Sequence, residues 1–147
     1  MEEKIKKNLL KVFSDYELTL LIIFGSYNSD NFNKDSDIDL AIKVNAPEQI
    51  KKNRNEILAK ISSIFDHRDI DLILLNYAEP LIKYKIACEG NLIYEKEKGL
   101  FKKFQVRAMS EHNDARKFYE LDKKSINDFL EGRKKNGRKD VSPPKIK

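Results

Sequence analysis

At 147 residues the chain has the length of one domain, enough to bury a core without disulfides or a structural metal. With 40% hydrophobic and 36% charged residues it is neither a disordered polyelectrolyte nor a membrane span, because no apolar run reaches the roughly 20 residues a bilayer needs. The lone cysteine, Cys88, excludes an internal disulfide and a cysteine-based zinc site, and fits a reducing cytoplasm.

The net charge of +5 is not spread over the chain. Residues 131–147 hold seven Lys or Arg against Glu131 and Asp140, which leaves 22 charges of each sign in residues 1–130. The expected organisation is therefore one neutral domain over residues 1–130 and a basic, disordered tail over 131–147. Nucleic-acid contact through that tail is a lesser alternative to plain solvation.

Residues 2–13 place Ile5, Leu9, Leu10 and Phe13 at helical spacing, with charges that break up any signal-peptide core. Residues 17–25 (ELTLLIIFG) form a short apolar run ending in Gly, which reads as a buried strand. Residues 26–36, rich in Ser, Asn and Asp, read as a loop, and 37–44 (DIDLAIKV) as a second strand. Pro47 opens one helix reaching Phe65, with Ile50, Ile57, Ile61 and Ile64 on one face. Residues 69–76 (DIDLILLN) make a third strand. Residues 78–89 make a helix closed by a Gly90 C-cap, and NLIYEK a short extended segment. Residues 98–130 form one long helix with an imperfect apolar stripe that includes Leu100, Phe104, Ala108, Ala115, Phe118, Ile126 and Phe129.

Two segments echo each other: Asp37-Ile-Asp39-Leu and Asp69-Ile-Asp71-Leu. Residues i and i+2 of a strand share a face, so each pair aims two carboxylates one way at the start of an apolar strand. Like charges gathered there resist desolvation, and a divalent cation compensates them; clustered carboxylate oxygens suit magnesium. Gly25-Ser26, at the end of the first strand, supplies the second component. A Gly lets backbone approach a phosphate, and the following amides with a Ser hydroxyl can cradle it. A phosphate cradle beside a di-carboxylate metal site is the equipment of phosphoryl transfer.

Gly25-Ser26, ten intervening residues and Asp37-x-Asp39 resemble the signature of the nucleotidyltransferase superfamily. The pattern is most similar to the minimal nucleotidyltransferase family, which includes the antitoxins of HEPN/MNT toxin–antitoxin pairs. IDLILLNYAEPLIKYKIACEGNLIYEK resembles that family's third-strand block, and FQVRAMSEHNDARKFYE its C-terminal helix. The resemblance implies an α/β (α+β) nucleotidyltransferase fold with a small mixed β-sheet, flanking helices and a long last helix. It implies Mg2+ and ATP, with Gly25 and Ser26 on the β- and γ-phosphates. Asp37 and Asp39 become magnesium ligands, and Asp71, preferred over Asp69, becomes a third ligand or the base at the acceptor hydroxyl. The implied reaction moves AMP from ATP to a hydroxyl, foremost a tyrosine, of a cognate HEPN toxin. The alternatives are an antitoxin that neutralises by binding alone, and a nucleotidyltransferase acting on a small molecule.

This chain departs from many relatives directly after Ser26, where Tyr27-Asn28-Ser29-Asp30 offers neither Arg nor Gly; the usual positive contact to the triphosphate is either missing or supplied elsewhere, for example by Lys34 or Lys43. Other motifs fall away. An EF-hand loop begun at Asp35 would need Gly and Glu where Leu40 and Ala46 stand, and the five glycines form no P-loop or dinucleotide fingerprint. Arg107 and His112 match the Arg-x4-6-His pattern of HEPN ribonucleases, but on the last helix of an α/β domain this reads as coincidence. His67 and Cys88 read as ordinary surface and packing residues.

Overall fold

The computed structural model describes residues 2–25 and 37–136. Its elements follow in the order α1 (Glu3–Val12), β1 (Leu18–Phe24), β2 (Ile38–Val44), α2 (Pro47–Lys52), α3 (Arg54–Ile64), β3 (Ile70–Leu74), α4 (Pro80–Glu89), β4 (Asn91–Glu95) and α5 (Leu100–Asn136). The four strands form one mixed sheet ordered β3-β2-β1-β4. β1 runs antiparallel to both its neighbours, and β2 and β3 run parallel. The expected mixed α/β fold is thus realised.

The central strands are apolar on both faces, as strands covered on both sides must be. On one face Leu21, Ile23, Leu40, Ile42 and Leu72 pack against Leu9 of α1, Ile50 of α2, and Ile57 and Ile61 of α3. On the other face Ile22, Phe24 and Ala41 pack against Ile86 of α4, with Phe101 and Phe104 of α5 alongside. Each fully buried Leu or Ile contributes on the order of 1.5–3 kcal/mol. The first face therefore carries most of the stability, and the second is thin enough to give way to a site.

Two details hold the β2–β3 pair in register. The Leu75 amide donates to the Ile42 carbonyl at 2.8 Å, continuing the parallel ladder past the end of β3. The Asn76 side chain then takes both polar groups of Val44, accepting from its amide at 3.2 Å and donating to its carbonyl at 2.8 Å. A side-chain amide here replaces one more residue of strand.

Several expectations are corrected. The single helix expected from Pro47 to Phe65 is two, divided at Asn53 (φ −104°, ψ 18°), whose side chain donates to the Tyr16 hydroxyl at 3.1 Å. Gly90 does cap α4, its amide donating to the Ile86 carbonyl, but with an extended backbone (φ −78°, ψ 150°) and not a left-handed one. Glycine is required there for space instead, since a Cβ would lie 2.5 Å from the Ile86 carbonyl oxygen and 2.6 Å from Ile22 Cγ2. Cys88 is exposed, not packed. The last helix continues to Asn136, so no helix end marks residue 130. Of its expected stripe, Ala108 is buried and Phe104 is half-buried, while the side chains of Phe118, Ile126 and Phe129 lie outside the described set. Residues 137–147 lie outside the described residues.

The close approach at Gly90 locks α4 onto β1. Gly90→Ala is expected to destabilise the domain by about 1–3 kcal/mol, because one of the clashing atoms is backbone and cannot rotate away. The urea midpoint of the variant against the parent measures this, with an unchanged m-value showing that the fold is kept.

Candidate active site

The strand register decides which acids meet. Asp39 lies opposite Phe24 of β1 on one side and opposite Asp71 of β3 on the other. Residues in cross-strand register share a face, so Asp39 and Asp71 stand together where β1 ends and β2, β3 and β4 begin. That face is the thin one covered by α4 and α5. Asp37, two residues before Asp39, is exposed just ahead of β2, and Asp71 is exposed as well. Asp39 is half-buried.

Burial first, then the charges of Asp71 and Asp37, push the Asp39 carboxyl above the usual carboxylate range. The Lys85 ammonium on α4 acts in the opposite direction. Asp39 thus senses both of the other carboxylates. Asp69 takes a different part: its carbonyl accepts the Ile38 amide at 2.9 Å and opens the β2–β3 pairing.

Gly25 has φ +74°, a left-handed conformation that favours glycine. It also lies against Asp39, since a Cβ there would come within 2.0 Å of Asp39 Oδ2. Its described contact is therefore with the carboxylate, a role that sequence spacing alone did not suggest. Ser26, the other half of the expected phosphate cradle, lies outside the described residues, as do Tyr27, Asn28, Ser29, Asp30, Lys34 and Asp35.

Three hard oxygen donors on one face, with the most buried of them held above its normal pKa by burial first and then by its like-charged neighbours, match the chemistry of a divalent cation. Among the described residues no three acids, histidines or cysteines are grouped closely enough to hold an ion by themselves. The donor set therefore fits an ion held jointly by one or two carboxylates and the phosphates of a substrate, the usual habit of magnesium.

The sequence missed Lys85. On α4, Lys83 pairs with Glu111, Tyr84 stacks on His112 with centroids 3.8 Å apart, and the Ala87 carbonyl accepts from Gln105. These contacts turn one flank of α4 to α5, while Ile86 faces the sheet. Lys85 falls on the remaining flank, on the side of the acids. A single lysine in a lysine-rich chain carries no signal of this kind. Lys43, which the sequence offered as a substitute cation, lies further along β2. His112 has a packing role in its stack with Tyr84, and His67 lies in the left-handed turn that ends α3 (φ 61°).

The polymerase beta nucleotidyltransferase profile matches residues 5–99, most of the chain. A protein adenylyltransferase MntA from Aphanizomenon flos-aquae is 29% identical over 122 residues, covering 78% of this chain and 81% of that protein. Among solved structures, a chain from a crystal structure of a toxin–antitoxin pair with AMP-PNP superposes with a TM-score of 0.64 at 23% identity, covering 85% of this chain and 97% of its own. A chain from the complex of a tri-AMPylated Shewanella oneidensis HEPN toxin with its MNT antitoxin gives 0.61 at 22% identity, covering 88% and 98%. At these identities the structures establish a shared fold. Together with the family profile and the carboxylate row on β2 and β3, they place the chain in the polymerase beta nucleotidyltransferase family.

Proposed function

We propose that this protein is an antitoxin that acts as a protein adenylyltransferase, moving AMP from ATP to a hydroxyl, foremost a tyrosine, of a cognate HEPN toxin. The observation that carries the reading is the row formed by Asp39 and Asp71 in register beside Gly25. The relative named as a protein adenylyltransferase and the AMPylated toxin in the S. oneidensis complex support the acceptor class. Among the described residues no helix is long and apolar enough to cross a membrane, and a cytoplasmic setting fits both ATP use and the free thiol of Cys88.

In this reading Asp37 and Asp39 would hold magnesium together with the triphosphate, with Asp71 as a third ligand or as the base, and the ion would supply neutralisation of the charge that develops on the phosphates. Gly25 keeps the space in which the Asp39 carboxylate sits, and Gly25 and Ser26 bring backbone and hydroxyl donors to the β- and γ-phosphates. As the base, Asp71, exposed and in register with Asp39, would accept the proton of the attacking hydroxyl. The hydroxyl oxygen bonds to the α-phosphorus, the bond from that phosphorus to the bridging oxygen breaks, and pyrophosphate leaves with the electron pair.

The decisive test is the intact mass of the candidate toxin after incubation with this protein, ATP and magnesium. Gains in AMP-sized steps are expected with the parent, and none with Asp37→Asn/Asp39→Asn. A stable complex that gains no mass with the parent sinks the enzymatic reading in favour of neutralisation by binding alone.

Gly25→Ala is expected to leave the domain folded but to lower the transfer rate by at least about 100-fold, the usual effect of displacing a reacting group by about 1 Å. Single-turnover kinetics read it, and a rate within tenfold of the parent would remove the steric role given to Gly25.

The raised pKa of Asp39 makes a separate prediction about stability. The unfolded chain has an ordinary carboxylate there, so between that value and the raised one the native state binds more protons. Native stability therefore falls as pH rises through that window, and at neutral pH the full cost of burying the charge beside Asp71 and Asp37 remains. Asp39→Asn removes it. The metal-free variant should melt above the parent at pH 7, and the gap should close as pH is lowered through the carboxylate range, read by differential scanning fluorimetry.

A further inference from the structure

The face that carries the acids has a second polar feature at its other end. Lys43 shares the face of Asp39, four residues along β2, roughly 13 Å at the rise of a strand. It lines a cavity of about 240 Å3 with Asn76, Lys83 of α4, and Phe104, Arg107 and Glu111 of α5. Three cations from three separate elements converge there against one carboxylate. Glu111 is already taken by Lys83, at 2.8 Å. Among the described residues neither Lys43 nor Arg107 makes an ion pair. The Asn76 side chain is held in place by its two hydrogen bonds to Val44. Lys43 is half-buried, and a partly desolvated ammonium without a counterion calls for an anion.

α4 separates this cavity from the acids. Ile86 is fully buried against Ile22 and Ala41, which fill the face between Asp39 and Lys43. A molecule at the carboxylate row therefore does not reach the cavity through the protein. The excess of about two positive charges matches a doubly or more highly charged phosphate better than a single carboxylate. The volume lies below the roughly 300–1,000 Å3 typical of sites for whole small molecules, and suits a free anion better than a whole nucleotide.

We infer that Lys43, Lys83 and Arg107 form a second anion site, separate from the carboxylate row, that binds free orthophosphate or pyrophosphate. The anion bridges β2, α4 and α5, and so ties the wall of the active site to the long helix. The inference does not depend on AMP transfer. Pyrophosphate is nonetheless the product the proposed reaction releases, so occupancy of this site would rise with turnover.

The test is thermal unfolding of the full chain in sodium orthophosphate or sodium pyrophosphate against sodium chloride at equal ionic strength, without magnesium. At about 100 times Kd either anion should raise Tm by roughly 5–10 °C, and the anion with the larger shift is the preferred ligand. The same rise is expected in Asp37→Asn/Asp39→Asn, and its loss is expected in Lys43→Gln/Arg107→Gln. No rise with either anion overturns the site. So does a rise confined to the protein with intact acids, or one that survives in Lys43→Gln/Arg107→Gln. Should that double variant not fold, Glu111→Gln decides by calorimetry: freeing Lys83 should tighten phosphate binding by roughly threefold, and an unchanged or weaker Kd overturns the proposal.

Discussion

The rest of the molecule depends on the register that sets Asp39 between Phe24 and Asp71. Strand alternation offers each residue only two faces. On the face covered by α1, α2 and α3, every strand position from Ile38 to Val44 that points inward is apolar. On the other face the same alternation carries Ala41 under α4 and then reaches Asp39 at the start of the strand. A one-residue slip would bury the carboxylates in the main core and expose the leucines, so the fold and the site stand on one register. The ladder extension by Leu75 and the Asn76 clamp on Val44 are the contacts that hold it at the far end.

That arrangement leaves the isolated domain with an unrelieved electrostatic load. Asp39 is desolvated, faces two like charges, and has Lys85 as its opposing charge. The glycine at position 25 admits the carboxylate to this position, where any side chain would displace it. A group held in the unfavourable state before its ligand arrives gains more from a cation than a solvated one would. Interaction that appears only when metal and phosphates bind together is the kind that contributes to rate as well as to affinity. At its other end the same sheet face is positive, with Lys43, so β2 carries opposite charges about four residues apart.

How much of this was legible depended on whether the signal was local. The strands could be read because each is a short apolar run bounded by turn residues, and the Asp-x-Asp pairs because alternation is local. The meeting of Asp39 with Asp71, 32 positions apart, needed the parallel pairing of β2 and β3, for which the echo of the two motifs was a usable hint. Gly90 was read for its backbone freedom when its real constraint is the crowding of Ile22 and the Ile86 carbonyl, a tertiary contact. The break at Asn53 was missed for the same reason, since its partner Tyr16 comes from before β1. Lys85 and Lys43 are two among many lysines, and only the packing of α4 between α5 and the sheet sorts one to the acids and the other to the cavity.

The openness of the carboxylate row bears on what it can serve. Asp37 and Asp71 are exposed, and among the described residues no element lies over them as a lid. A nucleotide activated in such a place is open to water, and transfer to a chosen hydroxyl competes with hydrolysis unless something excludes the solvent. Enzymes that modify small molecules supply that exclusion themselves, by enclosing the substrate. Here the chain after residue 100 contributes one helix, and its described contacts run to α4, β1 and β4 rather than over the acids. Under the proposed function, the acceptor can bring a wall over the described acids. A protein surface can do so, covering the row as it presents its hydroxyl, whereas a small molecule has too little surface to close the site around itself.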